Sequence, residues 1–255
     1  MPSLRAAGPA GSIGYEVTGS GPGVVLVHGW CCDRTYLEPQ QAHLSRLHAV
    51  VALDLRGHGA SEQAADAGYS IEDFADDVAA VTAASGLERP VVIGHSMGGL
   101  VALECAARGL ACAAVLLEPA AILDQRGKDY FLRSVPAVAK DTDGAWRRRF
   151  AERIMLPTDT ARRDEILAGM PLTDVRVAAA AMRGMGEYDA AAALRRVEVP
   201  VLVIVATSPE DLDAVRSLCP TVTTGQTVGA GHFHQLEVPE QVNLMIDRFL
   251  ALDRL

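Results

Sequence analysis

The stretch Gly94-His95-Ser96-Met97-Gly98 sets one hydroxyl between two glycines, after the apolar run Pro90 to Ile93 and before a helix-like run from Leu100. Strand, G-x-S-x-G turn and helix in succession suit a serine nucleophile. The glycines allow a sharp turn that lifts the hydroxyl clear of a sheet, and the helix N-terminus aims amides at an anion formed there. A serine hydroxyl still needs a base within hydrogen-bond reach, itself oriented by a third group. Of the seven histidines, His232 is the best-placed base: it follows the strand-like run Thr221 to Val228 in a glycine-rich loop that can present an imidazole over a sheet edge. His234 is its rival. His28 and His58 stand in loop motifs where they shape turns, and His95, inside the serine turn, is expected to pack.

The elements that must position these groups alternate along the chain. Apolar runs at 23–28, 49–54, 90–94, 112–117, 199–205 and 220–228 suit parallel strands buried on both faces. Helical patterns lie between them: Ser70 caps one with acids in its first turn, Leu100 to Arg108 forms another, and Val238 to Leu252 an amphipathic C-terminal one. The class is therefore α/β with a parallel sheet and right-handed crossovers. One interval of roughly 80 residues, from Leu117 to Val199, has no strand-like run, far beyond an ordinary βα loop. It reads as an inserted helical cap over 120–197, dividing a core of 1–119 and 198–255. Its apolar residues are expected mainly to hold the cap in place, with Met155, Met182 and Met185 as the candidates for a substrate pocket.

Composition bounds the function. Twenty-three Lys and Arg against 32 Asp and Glu leave a net charge of −9, and with no basic run this gives nucleic acid no footing. Apolar stretches fall short of the ~20 residues that span a bilayer, so no membrane partner is expected. Met1 to Arg5 lead into no apolar core of a signal peptide, which makes the cytoplasm the expected compartment. Five cysteines with no C-x-x-C pair read as reduced thiols, and no metal site is expected. A homodimer is left open.

His28-Gly29-Trp30, Asp54-Leu55-Arg56-Gly57-His58-Gly59-Ala60-Ser61, Gly94 to Gly99 and Gly229-Ala230-Gly231-His232-Phe233, in that order, resemble the α/β-hydrolase fold family from about Gly11 to the end of the chain. The resemblance implies an eight-stranded, mostly parallel sheet with helices on both faces, a cap after the sixth strand, and Ser-acid-His catalysis without a cofactor. It assigns Ser96 as nucleophile and His232 as base. The oxyanion hole falls to the backbone amides of Met97 and Trp30, with Cys31 as a second choice for the latter; Trp30 and Cys31 are also expected to wall the pocket.

The acid departs from the common pattern. Where most members carry an aspartate after the seventh strand, Ala206-Thr207-Ser208-Pro209 has none; Glu210 and Asp211 follow, in what reads as a helix start capped by Ser208. Glu118, directly after the sixth strand, lies on the same carboxyl edge as the serine turn, and some branches of the family take their acid from this position. Glu118 is the first choice, with Asp211 or Glu210 as alternatives.

A serine at the elbow favours acyl chemistry, so the expected activity is hydrolysis of a carboxylic ester or lactone as a small-molecule substrate. Two alternatives stand beside it. Gly29 to Arg34 with an acid after the sixth strand is similar to the cofactor-free ring-cleaving dioxygenases, although those carry histidine in the place of Met97. A receptor that keeps the triad while binding a small ligand is the reading outside enzymes.

Overall fold

The computed structural model describes residues 4–64 and 68–253; Met1 to Ser3, part of the N-terminal stretch read for a signal, lie outside them. Eight strands, β1 (Leu4–Gly8), β2 (Gly11–Thr18), β3 (Gly23–Val27), β4 (Ala49–Leu53), β5 (Val91–His95), β6 (Ala113–Leu117), β7 (Val201–Val205) and β8 (Val222–Gln226), form one sheet. Its order is β1-β2-β4-β3-β5-β6-β7-β8. The pairs β1 with β2 and β2 with β4 are antiparallel, and every later pair is parallel.

Side chains that alternate along each strand feed two cores. Val25, Val27 and Val92 pack on one face, against residues such as Phe74, Val78, Leu100 and Leu103. These last belong to α2 (Ile71–Ala84) and α3 (Met97–Ala107), which follow α1 (Glu38–Leu44). Val24, Leu26 and Ile93 pack on the other face against Leu44 of α1 and against Val242, Ile246 and Phe249. Ser70 caps α2 as expected, in a reciprocal capping box with Asp73.

Between β6 and β7 lie only helices: α4 (Gln125–Val138), α5 (Ala145–Ile154), α6 (Arg163–Gly169), α7 (Val175–Glu187) and α8 (Ala190–Arg196). In this insert α4 packs along α7, while α8 packs against α3 and so lies in the helical layer of the sheet. The chain closes with α9 (Leu212–Leu218), α10 (His234–Glu237) and α11 (Pro239–Asp253), the last on the face opposite α2 and α3.

Candidate active site

Ser96 joins β5 to α3 with φ 55° and ψ −116°, a conformation costly for a residue with a Cβ. The glycines around it explain how the turn closes. A Cβ on Gly94 would lie 1.9 Å from the Gly98 carbonyl oxygen, and one on Gly98 would lie 2.3 Å from that of Val27. A Cβ on Gly29 would come within 3.2 Å of the Ser96 Cβ. The Ser96 amide donates to the Leu117 carbonyl at 3.0 Å, and its carbonyl accepts from the Ala120 amide at 3.1 Å. The elbow is thereby bonded on both sides of Glu118.

Glu118 itself has φ 40° and is 2% exposed. Its carboxylate reaches the end of β7, where Oε1 accepts from the Thr207 amide at 3.0 Å and Oε2 from the Ala206 amide. Burial pushes its pKa above the usual carboxylate range, and these two amides and the Thr207 hydroxyl oppose that shift. The carboxylate thus lies against the backbone that follows β7. No hydrogen bond joins it to His232 among the described residues.

The alternative acids have other partners. Asp211 is exposed and caps α9, accepting from the amides of Asp213 and Ala214. The helix start expected at Ser208 therefore begins three residues later. Glu210 turns away from α9: its carboxylate accepts from the amides of Ile122 at 2.9 Å and Leu123 at 2.6 Å, where the chain enters the insert.

His232 sits in the loop after β8, half-buried, with its imidazole pKa well below the usual value because of burial and, next, of the neighbouring His95 and His234 rings. Its carbonyl accepts from Nε2 of His95 at 2.9 Å. A carbonyl can only accept, so His95 carries its proton on Nε2, and burial, which lowers its pKa to about 4, keeps it neutral. His95 therefore does more than pack: it ties the serine elbow to the histidine loop. The rival His234 is fully buried and bonded through Nδ1 to the Thr227 hydroxyl at 3.0 Å. His28, also buried, accepts the Leu55 amide at Nε2 at 3.0 Å and shapes its loop.

Ser96, Glu118 and His232 line one cavity of about 450 Å³ at the carboxyl edge of the sheet, together with Gly29 and Trp30. The insert supplies much of the wall through Tyr130 and Phe131 of α4, Phe150 and Arg153 of α5, and Met155. Trp30 is fixed by its indole N–H, which donates to the Ala178 carbonyl of α7 at 2.8 Å, and by an edge-to-face contact with Phe150. Met97 is the first residue of α3, where backbone amides have no acceptor within the helix.

Of the expected pocket residues, Trp30, Met155 and Met185 face the cavity, while Cys31 and Met182 do not. Cys31 is buried beside Arg147 and Thr173 of the insert, where burial drives its thiol up to about 12, and its neighbour Cys32 lines the cavity instead. Met182 is fully enclosed in the main core. Among the described residues no group of three or more His, Cys, Asp or Glu is placed to hold a metal ion, and no helix is long and apolar enough to cross a membrane.

A sequence profile of the alpha/beta hydrolase family matches residues 24–243. The chain belongs to this family. Among solved structures of the family, an esterase, RhEst1, from Rhodococcus sp. ECU1013 is 29% identical with a TM-score of 0.82, over 98% of this chain and 99% of that one. A thermophilic esterase from Thermogutta terrifontis is 26% identical with a TM-score of 0.85, over 98% of both chains. The 2-(acetamidomethylene)succinate hydrolase of Mesorhizobium japonicum is 33% identical over 90 residues, 35% of this chain and 32% of that protein. The first curated relatives are matched over about a third of their length.

Proposed function

We propose that the protein is a serine hydrolase that cleaves a carboxylic ester or lactone through an acyl-enzyme. The observation that carries this reading is the left-handed Ser96 elbow opening into the same cavity as His232 and Glu118. The esterase names of the two structural relatives above support it. In the reaction the Ser96 hydroxyl attacks the carbonyl carbon as the His232 imidazole takes its proton, and the amides of Trp30 and Met97 hold the oxyanion. His232 returns the proton to the departing alkoxide, then draws one from water, whose attack releases the acid and restores Ser96. A lactone follows the same course, its alkoxide staying tethered to the acyl chain.

Glu118 is the acid in this reading. A carboxylate offers about four lone-pair sites, so the amides of Ala206 and Thr207 leave acceptor capacity for the imidazolium. Its place between the two backbone bonds of Ser96 favours it over Glu210, which holds the insert, and over Asp211, which is exposed. The low pKa of His232 suits a base that must be neutral to act. The test is turnover of p-nitrophenyl esters and a lactone panel, with oxygen uptake recorded alongside. Hydrolysis that falls by at least ~10³-fold in Ser96→Ala supports the reading. Retained turnover in that variant, or oxygen uptake on a heteroaromatic substrate without ester cleavage, overturns it.

A further inference from the structure

We infer that Asp159, a residue of the insert, is a positioning residue for the histidine base: its carboxylate holds the backbone that carries His232 and ties it to the wall of the substrate cavity. The inference rests on the reading of His232 as the base.

Asp159 lies in the turn that follows α5 and is 4% exposed. Its Oδ2 accepts from the Leu156 amide at 2.7 Å, and both oxygens accept from the Gly231 amide at 3.1 Å. Among the described residues no Lys, Arg or His lies within salt-bridge distance of this carboxylate; backbone amides alone hold it. The nearby Arg163 donates to the Leu156 and Asp159 carbonyls at 3.3 Å and not to this carboxylate, and closing the 156–159 turn needs only a neutral acceptor such as Asn or Ser. What the charge adds here is a strong, two-oxygen grip on the amide next to the base.

Three further contacts continue this grip. The next amide, that of His232, donates to the carbonyl of Ile154 at 3.1 Å. Ile154 is the last residue of α5, so its carbonyl has no partner within the helix. Beyond the base, Oε2 of Glu237 accepts from the amides of Thr160 at 3.0 Å and Ala161 at 2.7 Å. The segment 154–161 is therefore fastened before, at and after the catalytic loop. The approach also accounts for Gly231, because a Cβ there would sit 2.5 Å from Asp159 Oδ2 and 2.8 Å from the Leu156 nitrogen. The same segment presents Ile154, Met155 and Leu156 to the cavity. Whatever displaces that wall displaces the support of His232, whose other backbone tie is the bond from His95.

Asp159→Ala and the milder Asp159→Asn test this. The Asn variant keeps one acceptor oxygen but turns an N–H toward the amides of Gly231 or Leu156. With a p-nitrophenyl ester, kcat should fall by about 10–100-fold in Asp159→Ala, the loss expected from a misplacement of about 1 Å, with KM within a few-fold of wild type and Asp159→Asn in between. The His232 imidazole, followed by NMR, should titrate at higher pH in both variants, because a loosened loop admits water and relieves the burial that depresses it. Its own surroundings otherwise stay fixed: His95 and His234 face it, and Glu118, Glu210, Asp124 and Arg153 line the cavity. The NMR titration needs no turnover, so it reports on the Asp159 tie even if the hydrolase reading fails. An unmoved His232 titration in folded Asp159→Asn overturns the inference. So does a loss confined to KM, which would make Asp159 a wall residue, or a kcat unchanged in either folded variant.

Discussion

The carboxylate of Glu118, at the end of β6, accepts the amide hydrogen of Thr207, beyond the end of β7, at 3.0 Å. An acid supplied by one strand is thus anchored on the neighbouring strand, beside the serine elbow. Glu118→Gln replaces an acceptor by an N–H facing the amide of Ala206 or Thr207 and removes the charge that would steady an imidazolium. We expect kcat to drop by about 10²–10⁴-fold, as for loss of a triad acid. Asp211→Ala should instead cost about 1 kcal/mol of stability as a lost helix cap, and Glu210→Gln about 1–3 kcal/mol as a lost buried acceptor, both with kcat little changed. Steady-state kinetics and thermal melts separate the three; an active Glu118→Gln beside an inactive Asp211 or Glu210 variant would move the acid to the seventh strand.

The cavity wall and the core can be told apart by volume. Met155→Trp and Met185→Trp should change the ratio of kcat/KM between a short-chain and a bulky ester, with each methylene of misfit worth roughly 1–3 kcal/mol. Met182→Trp should leave that ratio alone and lower the melting temperature, because overpacking a closed core costs about 1–3 kcal/mol. A selectivity change in Met182→Trp without destabilisation would place that side chain in the cavity.

The elbow glycine Gly98 has no room for a methyl group, since a Cβ would lie 2.3 Å from the Val27 carbonyl oxygen and 2.6 Å from that of His28. Both obstacles are backbone and cannot turn aside. Gly98→Ala should therefore lose several kcal/mol. Gly86, at φ +70° in open space, should lose only the left-handed penalty of about 1–2 kcal/mol when changed to Ala. Equal melting temperatures for the two variants would contradict the crowded elbow.

Four buried histidines make the fold sensitive to acid. Burial lowers the pKa of His28, that of His95 to about 4, and those of His58 and His234 to about 3. Below the unfolded value near 6.5 the unfolded chain takes up protons that these side chains in the fold refuse, so stability is whole above about pH 6.5 and falls as the pH drops toward the folded values. The slope is at most about 1.4 kcal/mol per pH unit for each histidine. Melts at pH 7 and pH 5 should differ clearly, and His58→Gln should flatten the difference; a melting temperature independent of pH over this range would contradict the burial of neutral imidazoles.

Much of the site was legible in the chain because its turns are local. Glycines at 94, 98 and 231 mark places where the backbone passes within contact of another backbone or a carboxylate, two residues to either side of Ser96 and next to His232. Five apolar runs likewise announced β3 to β7, whereas β8, at the other edge of the sheet, is a Thr-rich and largely uncovered stretch and not a strand buried on both faces. The pair β1 and β2 went unlocated, because an antiparallel edge carries short, mixed stretches such as Leu4 to Gly8 in place of a buried run. The remainder depends on distance across the fold. Whether Met182 or Met185 faces the cavity follows from where α7 packs on α4 and α2, which the spacing of two apolar residues on one helix does not state. That Glu118 grips the end of β7, and that Asp159 grips Gly231 from 72 residues away in sequence, were decided by tertiary structure alone. A side-chain carboxylate chooses its partner among all the amides the fold brings near it, and short-range pattern carries no record of that choice.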